Sequence, residues 1–312
     1  MLSRVADSLY WMSRYLERAE HIARLIAVKL ETTVDQSRED AEASWARVRA
    51  ALWTENRAAT DAALTHRLAF DLGNEFSLFS SINFARDNAR QVREQLTIEV
   101  WESLNLLYLS LKPLSQDAGS SRNPARIFRQ TLQELHALEG VTSSTLSHDE
   151  GWYFLELGRH IERAQLICRL LDLHFGVARS LVAAAPNYFD WLVLLKDCSA
   201  FEPYCKVYTA AIQPERIAEF LLFNPEFPHS VRFAVDGVCN ALTHVAPGAP
   251  PHRRAGVERL AGRLKASADF TQIDELMSGS IDHFLADIAG QCEQIHEAVY
   301  VAYIAYGAET VL

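Results

Sequence analysis

Cysteine is scarce in this chain and arranged for no shared purpose. Five residues, Cys168, Cys198, Cys205, Cys239 and Cys292, make an odd number without a Cys-x-x-Cys pair. That excludes a disulfide framework and a zinc ribbon and fits a reducing compartment. Long apolar runs are missing too: no uncharged stretch approaches the ~20 residues a bilayer crossing needs, and residues 299–308 come nearest. The opening, Met1 to Asp7, lacks the apolar core of a secretion signal, so a cytoplasmic location without membrane insertion is expected. Positive charge is in the minority, with 30 Lys and Arg against 40 Asp and Glu. Such a chain has no basic stripe to neutralise phosphates and does not read as a nucleic-acid binder. Walker A, Gly-x-Gly-x-x-Gly and Gly-x-Ser-x-Gly signatures are absent. No cofactor is expected, and no Cys-His-acid signature marks a nucleophile.

What remains is helix. Apolar residues form 49% of 312 positions, and a 3.6-residue period dominates while strand-like alternation is nearly absent. The expected class is all-α, with helices at about 3–34, 39–56, 58–71, 77–115, 123–146, 148–179, 187–197, 203–211, 214–224, 228–246, 251–268 and 270–306. Lys112-Pro113, the 120–124 stretch, Ala185-Pro186-Asn187 and the 246–251 stretch punctuate the series. Pro124 suits a first helical turn, and Ser147 with Glu150 reads as a capping box.

An internal repeat organises the chain. At an offset of 145, Arg14, Glu17, Arg18, Ala19, Ile22, Arg24 and Leu25 recur as Arg159, Glu162, Arg163, Ala164, Ile167, Arg169 and Leu170. Seven matches in twelve positions compare with about one by chance. The simplest architecture is two pseudo-symmetric antiparallel bundles, 1–146 and 147–312, as separate units or one domain.

On a helical wheel Val5, Leu9, Met12, Leu16, Ala19, Ala23, Ile26 and Leu30 form one apolar stripe, with Arg14, Glu17, Arg18 and His21 opposite. Tyr10, Trp11 and Leu25 share that charged side. In the second copy Trp152, Leu155, Leu166, Leu170 and Leu173 share it with Arg159, Glu162 and Arg163. A helix apolar nearly all round lies inside a bundle, so both charged trios are expected to be enclosed, and enclosed charges must be paired. Each trio holds two Arg and one Glu. The surplus positive charge in each half calls for a further carboxylate or an anionic ligand, and Arg, with its planar fork, suits either.

Two other constellations bear on that balance. Arg90, Glu94 and Trp101 fall on one face of the 77–115 helix with Arg93 nearby, so Glu94 or Glu99 is expected to face Arg14 and Arg18, with Asn83, Phe84 and Asn88 lining the same place. Around Phe227-Pro228-His229-Ser230 a helix restarts with Pro228 in its first turn and carries Arg232. Free N–H groups there, with His229 and Ser230, can hold an anion. Metal is not expected: Glu226-x-x-His229 contains a proline, Glu293-x-x-His296 stands alone, and the pairs Glu17/His21 and Glu156/His160 sit beside Arg. Trp45, Trp53 and Trp191 suit a partner surface or a core equally.

Four segments together carry a family likeness: 9–20 (Leu-Tyr-Trp-Met-Ser-Arg-Tyr-Leu-Glu-Arg-Ala-Glu), 88–94 (Asn-Ala-Arg-Gln-Val-Arg-Glu), 157–164 (Leu-Gly-Arg-His-Ile-Glu-Arg-Ala) and 227–231 (Phe-Pro-His-Ser-Val). They span the chain and resemble the bacterial alpha-E domain family. His229 departs from the pattern, where Arg is expected. The resemblance implies a partnership with circularly permuted ATP-grasp ligases, and with transglutaminase-like proteins, encoded beside or fused to them, in ATP-dependent peptide or amide-bond formation.

Three readings stay open. The chain is an accessory, substrate-binding or scaffold subunit whose ligand, a carboxylate or phosphate, meets Arg14, Glu17, Arg18, Arg90, Arg93, Glu94, Arg159, Glu162, Arg163 and Arg232. Or it is an enzyme using Glu17 or Glu162 as general base, a role that a neighbouring Arg opposes by lowering the carboxyl pKa. Or the clusters are structural ion pairs fixing helix register. A solvent-reached pocket at Arg14, Arg18, Arg90 and Arg93 separates ligand binding from a sealed structural cluster.

Overall fold

The computed structural model describes residues 3–32, 38–52, 60–116, 124–176, 186–245 and 251–304, leaving aside the side chains of 38–40 and 251–253. Among them helix is the only regular secondary structure. In order come α1 (Ser3–Thr32), α2 (Arg38–Ala51), α3 (Asp61–Phe70), α4 (Leu78–Gln91), α5 (Ile98–Gln116), α6 (Pro124–Thr145) and α7 (Glu150–Phe175). Then follow α8 (Tyr188–Asp197), α9 (Phe201–Tyr208), α10 (Pro214–Phe223), α11 (Val231–Val245), α12 (Pro251–Phe270), the single turn α13 (Ile273–Glu275) and α14 (Ile281–Val299), with widened turns at 276–280 and 300–304. The ends expected at 33–34, 53–56 and 305–306, Trp53, and the loops at 117–123 and 246–250 lie outside the described residues.

Helix α1, at 30 residues about 45 Å long, is buried on every side. It packs on α7, α4 and α6, while α7 also meets α11 and α14. The two repeated helices therefore lie against each other in the middle of the molecule, and one apolar core runs from Val5 to Tyr303. Contacts advance together along both: Tyr10 and Ser13 meet Gly158, Arg14 meets Glu162, and Leu25 and Lys29 share a small cavity with Leu170 and His174. The central pair thus runs parallel.

Gly158 sets its spacing. A Cβ there would lie 2.3 Å from both the Tyr10 carbonyl oxygen and Ser13 Oγ, so only glycine lets the backbones approach so closely. One turn further along, both helices carry their charged trios.

Several local expectations need correcting. The single helix at 77–115 is two: α4 stops at Gln91, a 3₁₀ turn covers Arg93–Gln95, and α5 starts after Thr97, whose hydroxyl accepts the Val100 N–H at 3.3 Å. Pro113 does not end α5, which continues to Gln116. The cap of α7 is Asp149 rather than Ser147; its carboxylate accepts from the Gly151 and Trp152 amides. Trp45 is buried and Trp191 half-buried, packed on the core.

Candidate functional site

Four charged side chains of the repeated helices are buried at the crossing: Arg14, Glu17, Glu162 and Arg163. Each carboxylate is held from the facing helix. Glu162 accepts Arg14 Nε at its Oε2 and Arg18 Nε at its Oε1, both at 2.7 Å. Glu17 accepts Arg163 through a two-pronged contact, Nε to Oε1 at 2.6 Å and Nη2 to Oε2 at 2.7 Å. Arg18–Glu162 and Arg163–Glu17 are the same pair of repeat positions exchanged reciprocally.

Beyond that exchange the two faces diverge. On the Glu162 face, Arg14 also donates to Gln165 Oε1 at 2.9 Å and to Tyr10 Oη at 3.3 Å, and its guanidinium lies 5.0 Å from the Trp11 ring centre. Arg18 stands 5.1 Å from the Phe76 ring and remains 16% exposed. Two guanidiniums share one carboxylate there, and both line a cavity of about 650 Å³ between α1, α7 and α14. Burial pushes the Glu162 carboxyl up, but Arg14 and Arg18 together outweigh it and hold it below the usual carboxylate range.

The Glu17 face is closed by protein. Arg159, the surplus cation of the second trio, is taken up by Glu139 of α6 and by Glu156, both at 2.9 Å. Arg163 donates its remaining Nη1 to the Pro228 carbonyl at 3.3 Å. Glu20 pairs with Arg24 and accepts from His136 at 3.3 Å, and His229 Nε2 stands 3.9 Å from it. The cavity beside Glu17 and Arg159 measures only about 30 Å³, room for about one water. Burial, opposed by Arg163 but reinforced by Glu20, pushes the Glu17 carboxyl up, against the expectation that an adjacent Arg would lower it. Burial and the cations Arg24 and Arg163 hold His229 well below the ordinary imidazole range, and burial with Arg24 brings His21 down to about 3. Both rings are neutral at pH 7.

The remaining sequence-predicted residues lie elsewhere. Arg90 is exposed and 3.4 Å from Asp87. Arg93 lies in the 3₁₀ turn, 5.2 Å from the Trp101 ring centre, and Glu94 and Glu99 face solvent. The break at 92–97 turns that segment away from Arg14 and Arg18. Arg232 pairs with Asp269 of α12 at 2.9 Å. In the turn before it Pro228 precedes the helix, Ser230 Oγ takes the Phe233 N–H, and Asn224 Oδ1 takes those of Glu226 and Phe227. Glu156 and His160 contact each other at 3.3 Å, and His296 Nδ1 meets Tyr10 Oη at 2.9 Å. Among the described residues no group of three or more His, Cys, Asp or Glu could hold a metal ion, and no helix is long and apolar enough to cross a membrane.

Gln165, Asp172 and Asp282, which line the large cavity, escaped the sequence reading. Gln165 and Asp172 lie more than 90° round the helix from the centre of the second trio, so the trio gave no signal for them. Asp282 had none, because only the packing of α14 on α7 brings it there.

Residues 1–304 match a family model described as a predicted alpha-helical domain with a conserved ER motif. The chain belongs to the alpha-E family. Two Glu-Arg pairs of this alpha-E chain, Glu17-Arg18 and Glu162-Arg163, form the reciprocal exchange at the helix crossing. Its curated relatives include uncharacterised proteins of Mycobacterium bovis and Mycobacterium tuberculosis, each 25% identical over 319 residues. The match covers 95% of this chain and 35% of either relative, so the chain spans about a third of their length. No solved structure matches it.

Proposed function

We propose that this alpha-E protein is an accessory, substrate-binding subunit of an ATP-grasp-dependent system that forms peptide or amide bonds, and that it holds a carboxylate- or phosphate-bearing ligand on Arg14 and Arg18. One observation carries the reading: two guanidiniums share the single carboxylate of Glu162 and both face a cavity of about 650 Å³, within the roughly 300–1,000 Å³ typical of small-molecule sites. An arginine fork left with open donors in a partly desolvated wall is a ready partner for a planar anion.

The partnership itself rests on the family likeness. The relatives carry the counterpart of this chain within a much longer polypeptide, which suits a unit that works joined to other domains. A cytoplasmic setting, where ATP is available, fits the five free cysteines. A catalytic role for Glu17 is not favoured, because its cavity admits no substrate. Arg163, Glu17 and Arg159 act as structural ion pairs holding the crossing in register.

Isothermal titration of the full chain with N-acetyl-L-alanine and with inorganic phosphate tests the anion site. At least one should bind, and Arg18→Met should weaken it about tenfold or more while circular dichroism stays unchanged. Binding of neither anion, nor of any free dipeptide, would sink the site. A tagged ATP-grasp protein from the same genome should co-purify with the chain; turnover of a peptide by the chain alone would overturn the accessory role.

A further inference from the structure

The large cavity carries charge of both signs, on different helices of its lining. On the α1–α7 wall Arg14 and Arg18 outnumber Glu162 by one positive charge. The third guanidinium, Arg169, is engaged elsewhere: it donates twice to the Ala50 carbonyl at the end of α2, at 3.1 and 2.8 Å, and lies 3.6 Å from Asp172. On the α14 wall stands Asp282, half-buried. Among the described residues it has neither an ion-pair nor a hydrogen-bond partner. Leu166 of α7 and Leu285 and Ala289 of α14 add an apolar strip to these walls.

A simple anion fits this arrangement badly. Phosphate drawn to Arg14 and Arg18 would be repelled by Glu162 and Asp282 in a partly desolvated space, where like charges interact more strongly than in water. A molecule with a carboxylate at one end and an ammonium at the other satisfies both walls and leaves no surplus charge on either.

Resting on the anion site proposed above, we infer that the ligand is a zwitterion, a short peptide whose carboxylate meets Arg14 and Arg18 and whose ammonium meets Asp282. The apolar strip takes its side chains, and the volume accommodates a peptide of a few residues.

Calorimetry on the full chain with L-alanyl-L-leucine, its N-acetyl derivative, its C-terminal amide and inorganic phosphate tests this. The free dipeptide should bind most tightly, with acetylation and amidation each weakening it about tenfold. Asp282→Asn should weaken the free dipeptide by a similar factor and leave the acetylated one no weaker, abolishing the preference between them. Asp282→Glu should retain it, which separates a charge contact from damage to the start of α14. If phosphate or the acetylated dipeptide binds as well as the free dipeptide, and Asp282→Asn changes nothing, the zwitterion is wrong while the anion site stands. If none of the four probes binds, the anion site fails with it.

Discussion

The two faces of the α1–α7 crossing begin from the same residues and end in different states. Each trio offers two Arg and one Glu, and each Glu is held from the opposite helix. On the Glu17 face α6 brings Glu139, and the turn before α11 brings the Pro228 carbonyl, so every cation finds a protein partner and the space closes to about 30 Å³. On the Glu162 face α14 supplies an apolar strip and one distant aspartate, so one positive charge stays uncompensated beside about 650 Å³ of open volume. The lesson is that a buried Arg-Glu motif has no fixed role. The outer helix packed against it decides whether it closes into a clamp or stays open to a cavity.

That contrast is broken most directly by removing each carboxylate. Glu17→Ala strands Arg163 in a sealed, dry setting and should cost about 3–5 kcal/mol. Glu162→Ala leaves Arg14 and Arg18 beside a cavity that admits water, so the loss should be smaller, about 1–3 kcal/mol. Urea unfolding followed by circular dichroism reads both; equal losses would erase the difference between the closed and the open face.

Acid titration sharpens the same contrast with smaller effects. Glu162 has its carboxyl lowered in the fold, so its stabilisation is present above the reference value of 4.5 and is lost as pH falls through the folded value. Glu20 is lowered too and adds the same sign. Glu17 is raised, so the fold favours its proton and its contribution declines as pH rises through its folded value. Glu162→Gln should therefore flatten the loss of stability on the acid side, whereas Glu17→Gln should leave that loss in place and relieve a decline toward neutral pH. Identical pH profiles for the two variants would show that the carboxylates titrate alike.

Much of this was legible in the sequence, and the reasons differ by level. Helical class follows from a period that repeats over most of the chain, and enclosure of the trios follows from Tyr10, Trp11, Leu166 and Leu170 sharing their side of the wheel. The choice of partner was not legible, because Glu162 and Arg18 meet only through an approach set by Gly158 against the Tyr10 carbonyl. The break after Gln91 did leave a trace. Thr97 is a capping residue three positions before Val100, but the apolar period continues across it and hides the stop. The Glu94 expectation failed with it, since the new direction of the chain sends that carboxylate into solvent.

Arg232 gives the smallest expected effect and a control on the whole contrast. It sits on the first turn of α11, only two residues after the turn that closes the Glu17 face, and sequence alone groups it with the charged cluster. Asp269 of α12 takes it instead, at 2.9 Å and partly exposed to solvent. A partly exposed pair is worth about 0–1 kcal/mol, so Arg232→Ala should lower the unfolding free energy by no more than that and leave dipeptide affinity untouched. A loss of affinity comparable to that of Arg18→Met would mean that positive charge acts on the ligand from across the fold, and the division into one open and one closed face would no longer describe how this molecule binds.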